Sequence, residues 1–315
     1  MRVAFLGNDA WSVAPLHALA GAGDIEVELV VTNPPRPAGR GSELTPTAVA
    51  DAARSVDLPL LEVDRIRDGE GFDALDALDP DALVVAAYGE ILTPDVLDIP
   101  RLGAVNVHFS LLPRWRGAAP VQRTILEGDE VTGLTVMLMD EGMDTGPILA
   151  RVETAIGPEE DAGSLGARLA EMGAPLLVET LRGLDDGTVE PRSQDHNAAT
   201  YAAKLLPEER TIDWAQPADV IVRKVRAFAP DPGAFTTFRK GRLKVLAARA
   251  HPGGGWMIAA EKSRPGAIHA GDFNPQIQGW PGVVELVEVA PAGRRRMSGE
   301  AWARGARIEP LEHLG

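Results

Sequence analysis

This 315-residue sequence contains 0 cysteines, so it can form no disulfide bond, thiolate nucleophile or cysteine-ligated metal site. No run approaches the ~20 apolar residues of a membrane span. The N-terminal stretch MRVAFLGND enters a strand pattern without the charged and apolar regions of a signal peptide. The six histidines never fall at ligand spacing. We therefore predict a cytoplasmic protein with no metal.

Glycine-rich phosphate-binding motifs are also missing. The turn after the first predicted strand, LGNDAW, lacks the G-x-G-x-x-G pattern, and no G-x-x-x-x-G-K-S/T is present. Asp144-Thr145-Gly146 resembles an aspartic protease tripeptide, but that chemistry needs two carboxylates that share a proton, and no second DTG or DSG occurs. Any catalysis must therefore come from Asn, His, Asp and Ser side chains.

The charge is unevenly distributed along the chain. The formal net charge is -15, yet residues 210–315 contain 16 Lys and Arg against 10 Asp and Glu, a net charge of +6, which leaves -21 on residues 1–209. Either the second region binds an anionic partner such as a nucleic acid, or an acidic first region is joined to a less acidic second one. Charge alone does not separate these interpretations.

The first part of the chain alternates strand and helix patterns, which predicts an α/β domain with a Rossmann-like, mostly parallel sheet over residues 1–188. Helices are predicted over 9–23, with Asp9 as N-cap, and over 163–184. Strands are predicted over 2–8, 25–33, 81–92 and 103–110, followed by two extended segments joined by a loop within 132–154.

Residues 189–209 show no sustained apolar period and are predicted to be a linker. Residues 210–315 contain short β-like runs separated by Gly and Pro, namely DPGAFTTFR, RLKVLAARA, GWMIAA and GVVELVEVA. This pattern predicts a small OB-like β-barrel as the second domain. Such barrels commonly hold nucleic acid, which strengthens that interpretation of the positive charge.

Three polar residues alternate along the predicted strand 103–110. Asn106, His108 and Ser110 point to one face of an extended strand, at the carboxyl end of a sheet where α/β proteins bind ligands. An amide can donate to an oxygen that gains negative charge, and an imidazole can donate to it or move a proton. This is equipment for acyl transfer. Asp144 is the candidate carboxylate, with Asp140 and Glu141 as rivals.

Several motifs resemble those of the bacterial methionyl-tRNA formyltransferase family. HFSLLPRWRGAAPVQ preceded by Asn106, AAYGEIL, MDEGMDTGPIL, NPPRPAGRG and RAFAPDPGAFTTF occur in that family's order and spacing over nearly the whole chain. The Asn-x-His-x-Ser-Leu-Leu-Pro element with a downstream Asp is typical of formyltransferases that use 10-formyltetrahydrofolate. The PAGRG loop and the start of the second domain narrow the resemblance to the tRNA-modifying members.

The resemblance implies transfer of a formyl group from 10-formyltetrahydrofolate to the α-amine of methionyl initiator tRNA, for translation initiation, by a monomer that needs no metal or membrane. It makes Asn106, His108 and Asp144 the catalytic trio, and Arg36 and Arg40 contacts of the tRNA. The residues implied to bind the folate are Ser110, Leu111, Leu112, Pro113, Tyr88, Ile91 and Leu92.

Two departures from the family pattern affect these expectations. Two lysines often follow PAGRG in the family, whereas this chain has Ser42 and Glu43, so we expect a weaker electrostatic hold on tRNA in this loop. A small residue is common between the His and Ser, whereas this chain has Phe109. By strand alternation Phe109 faces away from the site, so we expect altered packing rather than altered chemistry.

Three other functions are compatible with parts of the sequence. A related folate-dependent enzyme could formylate an amino-sugar nucleotide. Ser110, His108 and Asp144 could form a hydrolase triad, but no G-x-S-x-G elbow exposes the serine, and side chains two apart on a strand are ~6 to 7 Å apart. A non-catalytic tRNA-binding protein would need only the basic region, including Arg294, Arg295 and Arg296.

Overall fold

The computed structural model describes residues 1–38, 43–251, 264–271, 273–309 and 312–315. The chain divides into two compact units. Unit 1 comprises Met1–Pro120, Val131–Ala155 and Gly166–Ala203, and unit 2 comprises Val121–Glu130, Ile156–Leu165 and Lys204–Gly315. The predicted linker, 189–209, is divided between them, and most of it lies in unit 1.

Unit 1 contains a mostly parallel sheet, which confirms the predicted fold class. Its strands are β1 (Arg2–Gly7), β2 (Glu26–Thr32), β3 (Arg36–Ala38), β4 (Glu43–Thr45), β5 (Leu60–Glu62), β6 (Ala82–Ala86), β7 (Ala104–His108), β8 (Val131–Leu138) and β9 (Ile148–Ala155). Seven of them form one sheet in the order β5-β2-β1-β6-β7-β8-β9. Pairs from β5 to β7 are parallel, and β8 and β9 are antiparallel to their neighbours. β3 and β4 form a separate antiparallel hairpin.

Some of the helical segments between Met1 and Asp185 begin at a residue whose side chain caps them. Asp9 accepts a hydrogen bond from the main-chain N–H of Trp11 at the turn that leads into the first helix. In the ranges that the structure describes, no helix has both the length and the apolar character to cross a membrane. The helices are α1 (Val13–Ala20), α2 (Ala48–Ser55), α3 (Gly69–Leu78), α4 (Pro94–Leu97), α5 (Pro120–Glu127) and α6 (Ala162–Asp185).

The predicted strand over 81–92 is too long, because β6 ends at Ala86. Ala87 and Gly89 then adopt φ values of +43° and +85°, which are incompatible with a continuing strand. Two later apolar residues of this run are still buried. Tyr88 and Leu92 pack into the core cluster between the sheet and α3, beside Leu75. Ile91, in contrast, is exposed, so apolar composition predicted the burial of only part of this run and not its conformation.

Asn8 joins the carboxyl ends of three neighbouring strands. Its Oδ1 accepts hydrogen bonds from the Thr32 hydroxyl, at 2.8 Å, and from the main-chain N–H of Asn33, at 2.7 Å, while its Nδ2 donates to the carbonyl of Tyr88. The residues that follow β1, β2 and β6 are thereby held together at the edge where ligands bind in α/β folds.

Unit 2 contains an antiparallel sheet, as predicted for the second domain. Its helices and strands are α7 (Ala218–Phe228), β10 (Ala234–Phe238), β11 (Gly241–His251), β12 (Ile268–Gly271), β13 (Phe273–Gln278), β14 (Val283–Pro291), β15 (Met297–Ser298) and α8 (Gly299–Ala306). The sheet order is β10-β11-β14-β13-β12, with β15 paired to β14. The predicted strand GWMIAA, residues 255–260, lies outside the described residues.

The C-terminal segment 312–315 lies between the two edge strands of this sheet. Leu314 forms an antiparallel bridge with Phe238 at the end of β10, and His313 forms one with Ala267 beside β12. The main-chain N–H of Leu314 donates to Gly266, and that of Gly315 donates to Thr237, at 2.9 and 3.1 Å. The segment therefore supplies hydrogen-bond partners to both open edges.

Candidate active site

Asn106, His108 and Asp144 meet at the carboxyl end of β7. Asn106 and His108 lie opposite Met137 and Thr135 of β8, and Asp144 lies in the loop between β8 and β9. Asn106 Nδ2 is 3.3 Å from Asp144 Oδ1, and His108 Nδ1 is 3.6 Å from Asp144 Oδ2. The structure therefore brings together the amide, imidazole and carboxylate that the sequence singles out.

The two rival acids of the same loop have other positions. Asp140 Oδ1 accepts hydrogen bonds from the main-chain N–H of Gly142, at 3.0 Å, and from the Thr145 hydroxyl, at 2.6 Å. Asp140 is thus a turn-forming residue, and Glu141 is exposed. Among the described residues, Asp144 is the carboxylate within ion-pair distance of His108.

The imidazole of His108 is held from its other side by main chain. Its Nε2 lies 2.9 Å from the carbonyl oxygen of Trp115. Because a carbonyl only accepts hydrogen bonds, Nε2 carries a hydrogen, and Nδ1 is the nitrogen that can gain or lose a proton beside Asp144. The side chain is buried, so this orientation is fixed by its surroundings.

Asp144 is held in a conformation that costs energy. Its φ is +53°, in the left-handed region, which costs an L-residue roughly 1–2 kcal/mol. The carboxylate is held by the main-chain N–H of Gly117, which donates to Oδ2 at 2.7 Å. Gly117 has a φ of +120°, and a Cβ there would lie 2.8 Å from the carbonyl oxygen of Ala202. Glycine is therefore required at position 117.

The sequence analysis did not identify three residues that support the site, namely Arg116, Gln194 and Thr200. Gln194, in the predicted linker, donates through Nε2 to the carbonyls of Asp144 and Gly146, at 2.9 and 2.7 Å. The guanidinium of Arg116 donates to Gln194 Oε1, and the main-chain N–H of Trp115 donates to the Thr200 hydroxyl at 2.9 Å. A polar residue in a stretch without apolar periodicity gives no sequence signal for such contacts.

Ser110 has a structural role in this arrangement. Its side chain is fully buried, and its hydroxyl donates to the carbonyl oxygen of Arg114 at 2.7 Å. Its own carbonyl accepts from the Thr135 hydroxyl at 2.6 Å. Since the serine proton is directed at a carbonyl rather than at His108, the geometry does not support the hydrolase triad.

Comparison with known families shows which family this chain belongs to. A family model described as "Formyl transferase" matches residues 1–181, and one described as "Formyl transferase, C-terminal domain" matches residues 204–307. The chain belongs to the formyl transferase family. The predicted resemblance is confirmed, and the two matches cover both units.

Curated relatives of this formyl transferase are similar over their full length. The methionyl-tRNA formyltransferase of Chloroflexus aurantiacus is 44% identical over 313 residues, covering 99% of both chains. That of Halorhodospira halophila is 45% identical over 312 residues, covering 99% of this chain and 98% of the relative. Among solved structures, WlaRD, a sugar 3N-formyl transferase, has a TM-score of 0.65 and 14% identity, covering 94% of this chain and 99% of that one. This last likeness supports the fold alone.

The residues predicted to bind folate differ in exposure in this formyl transferase. Ile91 is 75% exposed, Leu111 and Pro113 are half-buried, and Ser110, Leu112, Tyr88 and Leu92 are buried. Burial raises the pKa of the Tyr88 phenol far above its usual value, and the charge of Glu90 adds to the effect. Within the described ranges the phenol oxygen has no hydrogen-bond partner.

Of the two residues predicted to contact tRNA, the structure describes Arg36, the first residue of β3. Arg36 is exposed, and its Nη2 is 3.7 Å from Asp64 Oδ1. Glu43 is exposed at the start of β4, while Arg40 and Ser42 lie outside the described residues.

Phe109, the residue between His108 and Ser110, is buried and packs against Trp11, with ring centroids 5.5 Å apart. In the part of the chain that the structure describes, no group of three or more His, Asp or Glu is placed to hold a metal ion.

Proposed function

We propose that this protein transfers the formyl group of 10-formyltetrahydrofolate to the α-amine of methionyl initiator tRNA. The observation that carries the proposal is the convergence of Asn106, His108 and Asp144 in a chain about 44% identical to methionyl-tRNA formyltransferases over 99% of its length. The folate supplies an activated formyl carbon, whose bond to N10 is replaced by a bond to the amine as N10 takes up a proton.

Asn106 stabilises the negative charge that develops on the formyl oxygen. One hydrogen of its amide faces Asp144 Oδ1, which leaves the second free to donate to substrate. A protonated His108 adds a second donor through Nδ1, because Nε2 is already directed at Trp115. Donors that are held in place before the reaction need little reorganisation as charge develops, which is the basis of such catalysis.

Asp144 has two tasks in this proposal. Its carboxylate lies 3.6 Å from His108 Nδ1 and orients the imidazole. It also accepts the proton that the α-amine loses, directly or through a water. Both tasks require the carboxylate to remain beside His108, so the contacts that hold the 144–146 loop contribute to catalysis by fixing the position of Asp144.

The folate is placed against the loop that follows β6 and the residues that follow β7. Among the described residues, no main-chain hydrogen bond is assigned to the N–H groups of Gly89, Ile91 and Leu92, so they are free to bond the edge of a flat ring. Ile91, Leu111 and Pro113 are the side chains exposed enough to touch such a ring. Ser110, Leu112, Tyr88 and Leu92 would support this wall from behind.

The tRNA would be held by Arg36 and Arg40 in the first unit and by the positive charge of residues 210–315. Guanidinium groups can bond phosphate in a bidentate manner or stack on an unpaired base. We further propose that the protein acts on this tRNA as a monomer in the cytoplasm. Binding should weaken steeply as salt concentration rises.

A formyl-transfer assay tests this function. The protein is incubated with 10-formyltetrahydrofolate and either methionine-charged initiator tRNA or an amino-sugar nucleotide. Formylation of the tRNA supports the proposal, whereas turnover of the sugar nucleotide alone would replace it with the alternative substrate. Binding of tRNA without any folate-dependent turnover would identify a non-catalytic RNA-binding protein.

A further inference from the structure

The loop that carries Asp144 is anchored through its main chain as well as through its carboxylate. The two amide hydrogens of Gln194 reach the carbonyls of Asp144 and Gly146, at 2.9 and 2.7 Å. These carbonyls lie on either side of Thr145, so one side chain fixes the whole turn. Gln194 is only 6% exposed, which keeps competing water away from these bonds.

The direction of the Gln194 amide is set by Arg116. Nε and Nη2 of Arg116 donate to Gln194 Oε1, at 3.2 and 2.7 Å. A guanidinium can only donate, so the amide oxygen must face Arg116 and the NH2 group must face the loop. Arg116 therefore turns Gln194 into a double donor toward Asp144 and Gly146.

Burying the charged side chain of Arg116 costs free energy, which a purely structural role does not require. Its side chain is among the largest fully buried ones, at 2% exposure, and its side-chain partners are the neutral Gln194 and Nδ1 of His196, the latter at 3.2 Å. A buried charge held by neutral acceptors contributes little to folding compared with an apolar group of similar size. The next residue, Gly117, holds the Asp144 carboxylate, so residues 116–117 act on both ends of Asp144.

We propose that Gln194, oriented by Arg116, is a positioning residue for Asp144 in formyl transfer, an inference that rests on the proposed function. The 3.6 Å separation between His108 Nδ1 and Asp144 Oδ2 is longer than a hydrogen bond. A small displacement of the 144–146 loop therefore decides whether the carboxylate engages His108. Neither Gln194 nor Arg116 is exposed enough to touch substrate.

The variant Gln194→Glu separates positioning from packing. A glutamate keeps the size of the side chain and its bond to Arg116, but it places a carboxylate oxygen against the two loop carbonyls. We expect kcat to fall about 10- to 100-fold, with KM for methionyl-tRNA and for folate within about threefold. If Gln194 only satisfies Arg116, this variant keeps the kcat of the parent protein, and the proposal is wrong.

Gln278→Glu is the matched control. Gln278 is also buried, at 8% exposure, and its Nε2 donates to the carbonyls of Gly279 and Gly282, at 2.7 and 3.1 Å. The same substitution there removes two equivalent hydrogen bonds in unit 2. It should lower the melting temperature by a comparable amount while leaving kcat within about twofold. A fall in kcat as large as that of Gln194→Glu would overturn the proposal.

A second variant covers the case in which Gln194→Glu does not fold. Arg116→Met combined with Gln194→Met replaces the polar pair by apolar groups of similar length, which proteins often tolerate. This double variant should fold and bind both substrates, yet show the same loss of kcat. Full kcat in the double variant would overturn the positioning role, whereas lack of tRNA formylation by the unmodified protein would instead overturn the proposed function.

Discussion

Gly117 and Asp144 are joined by a 2.7 Å hydrogen bond from main-chain N–H to carboxylate, and both residues have positive φ values, +120° and +53°. The turn at Gly117 and the turn at Asp144, which are 27 residues apart in the sequence, therefore meet at one carboxylate oxygen. Because the bond comes from main chain, a side-chain substitution at position 117 can act only by moving the backbone. This makes the pair a direct test of how accurately Asp144 must be placed.

Gly117→Ala should therefore impair catalysis. The added Cβ would meet the carbonyl of Ala202 at 2.8 Å, and alanine disfavours a φ of +120°, so the 116–118 backbone must shift at a cost of about 1–3 kcal/mol. We expect kcat to fall at least about tenfold, measured by formylation of methionyl-tRNA. Gly187→Ala is the control, since Gly187 has a φ of +68° but open space around it. Equal kcat in the two variants would contradict this view.

Asp144→Asn should lower kcat by about 10²–10⁴-fold. The amide keeps the size of the side chain and one accepting oxygen, but it removes the charge beside His108 Nδ1 and the group that takes up a proton. Glu141→Gln removes a charge from an exposed position in the same loop and should change kcat by less than about twofold. Single-turnover formylation rates of the two variants check the assignment of the acid. A larger loss in Glu141→Gln would show that the wrong carboxylate had been chosen.

His108→Ala should depress turnover far more than folate affinity. The imidazole is directed at Trp115 and Asp144 and is buried, so its removal deletes a proton-handling group rather than a binding surface. We expect kcat to fall by about 10²–10⁴-fold with the folate Kd within about threefold, measured by fluorescence titration. Comparable losses in kcat and affinity would mean that the residue only binds substrate.

The Asp24–Arg182 pair should make part of the stability of unit 1 dependent on pH. Hydrogen bonds from the Arg182 guanidinium, at 2.6 and 2.7 Å, hold the pKa of the Asp24 carboxyl at about 2 instead of 3.8. A depressed pKa in the folded state stabilises the protein above the pKa of the unfolded chain, and this contribution disappears as pH falls through the folded value.

Asp24→Asn should accordingly lower the urea midpoint at neutral pH, and the difference from the parent protein should shrink between about pH 4 and pH 2. The effect is small because the pair is exposed to solvent, and salt should reduce it further. Asp76→Asn, at an exposed position of α3, is the control for a general charge effect. A difference that persists at the lowest pH would show that the carboxylate charge is not responsible.

Deleting residues 312–315 should destabilise unit 2 and promote self-association. The deletion removes the bridges of Leu314 and His313 to the sheet edges and the ion pair in which Arg239 Nε is 2.7 Å from Glu312 Oε1. It also removes the buried Leu314 side chain, whose burial stabilises the fold by roughly 1.5–3 kcal/mol. Unpaired edge strands are templates for pairing with other chains. Calorimetry and light scattering check both effects, with Glu312→Gln as the variant that loses only the charge. Unchanged melting and a monomeric deletion variant would contradict the role of the segment.

The fold was largely predictable because its signals are local. Alternating apolar runs and turns gave the sheet of unit 1, and the α6 prediction over 163–184 lies within the observed helix, Ala162–Asp185. The run 81–92 was assigned wrongly after Ala86 because burial, which composition reports, does not fix φ. α7 was not predicted, although its buried Ile221, Val222 and Val225 follow a helical period.

The grouping of Asn106, His108 and Asp144 was predictable only from side chains that are unusual at their positions. Asn106 and His108 stood out because polar residues interrupt a buried strand. The carbonyl of Trp115 and the N–H of Gly117 are main-chain groups that every sequence contains, so nothing in the residue types indicates their use. Gln194 contacts the loop across a sequence distance of 50 residues, which no local pattern can report.

The participation of Gln194 and Thr200 has a consequence for synthesis on the ribosome. A nascent chain that ends at residue 188 already contains every strand of the unit 1 sheet, but it lacks the groups that bond to Arg116 and Trp115. The bonds from Gln194 to the carbonyls of the 144–146 loop thus form only after roughly two thirds of the polypeptide has emerged, whereas the Gly117 N–H that binds the Asp144 carboxylate is present earlier. An excised first domain should accordingly extend to Ala203, since a shorter piece would lack the side chain that fixes the main chain of this loop.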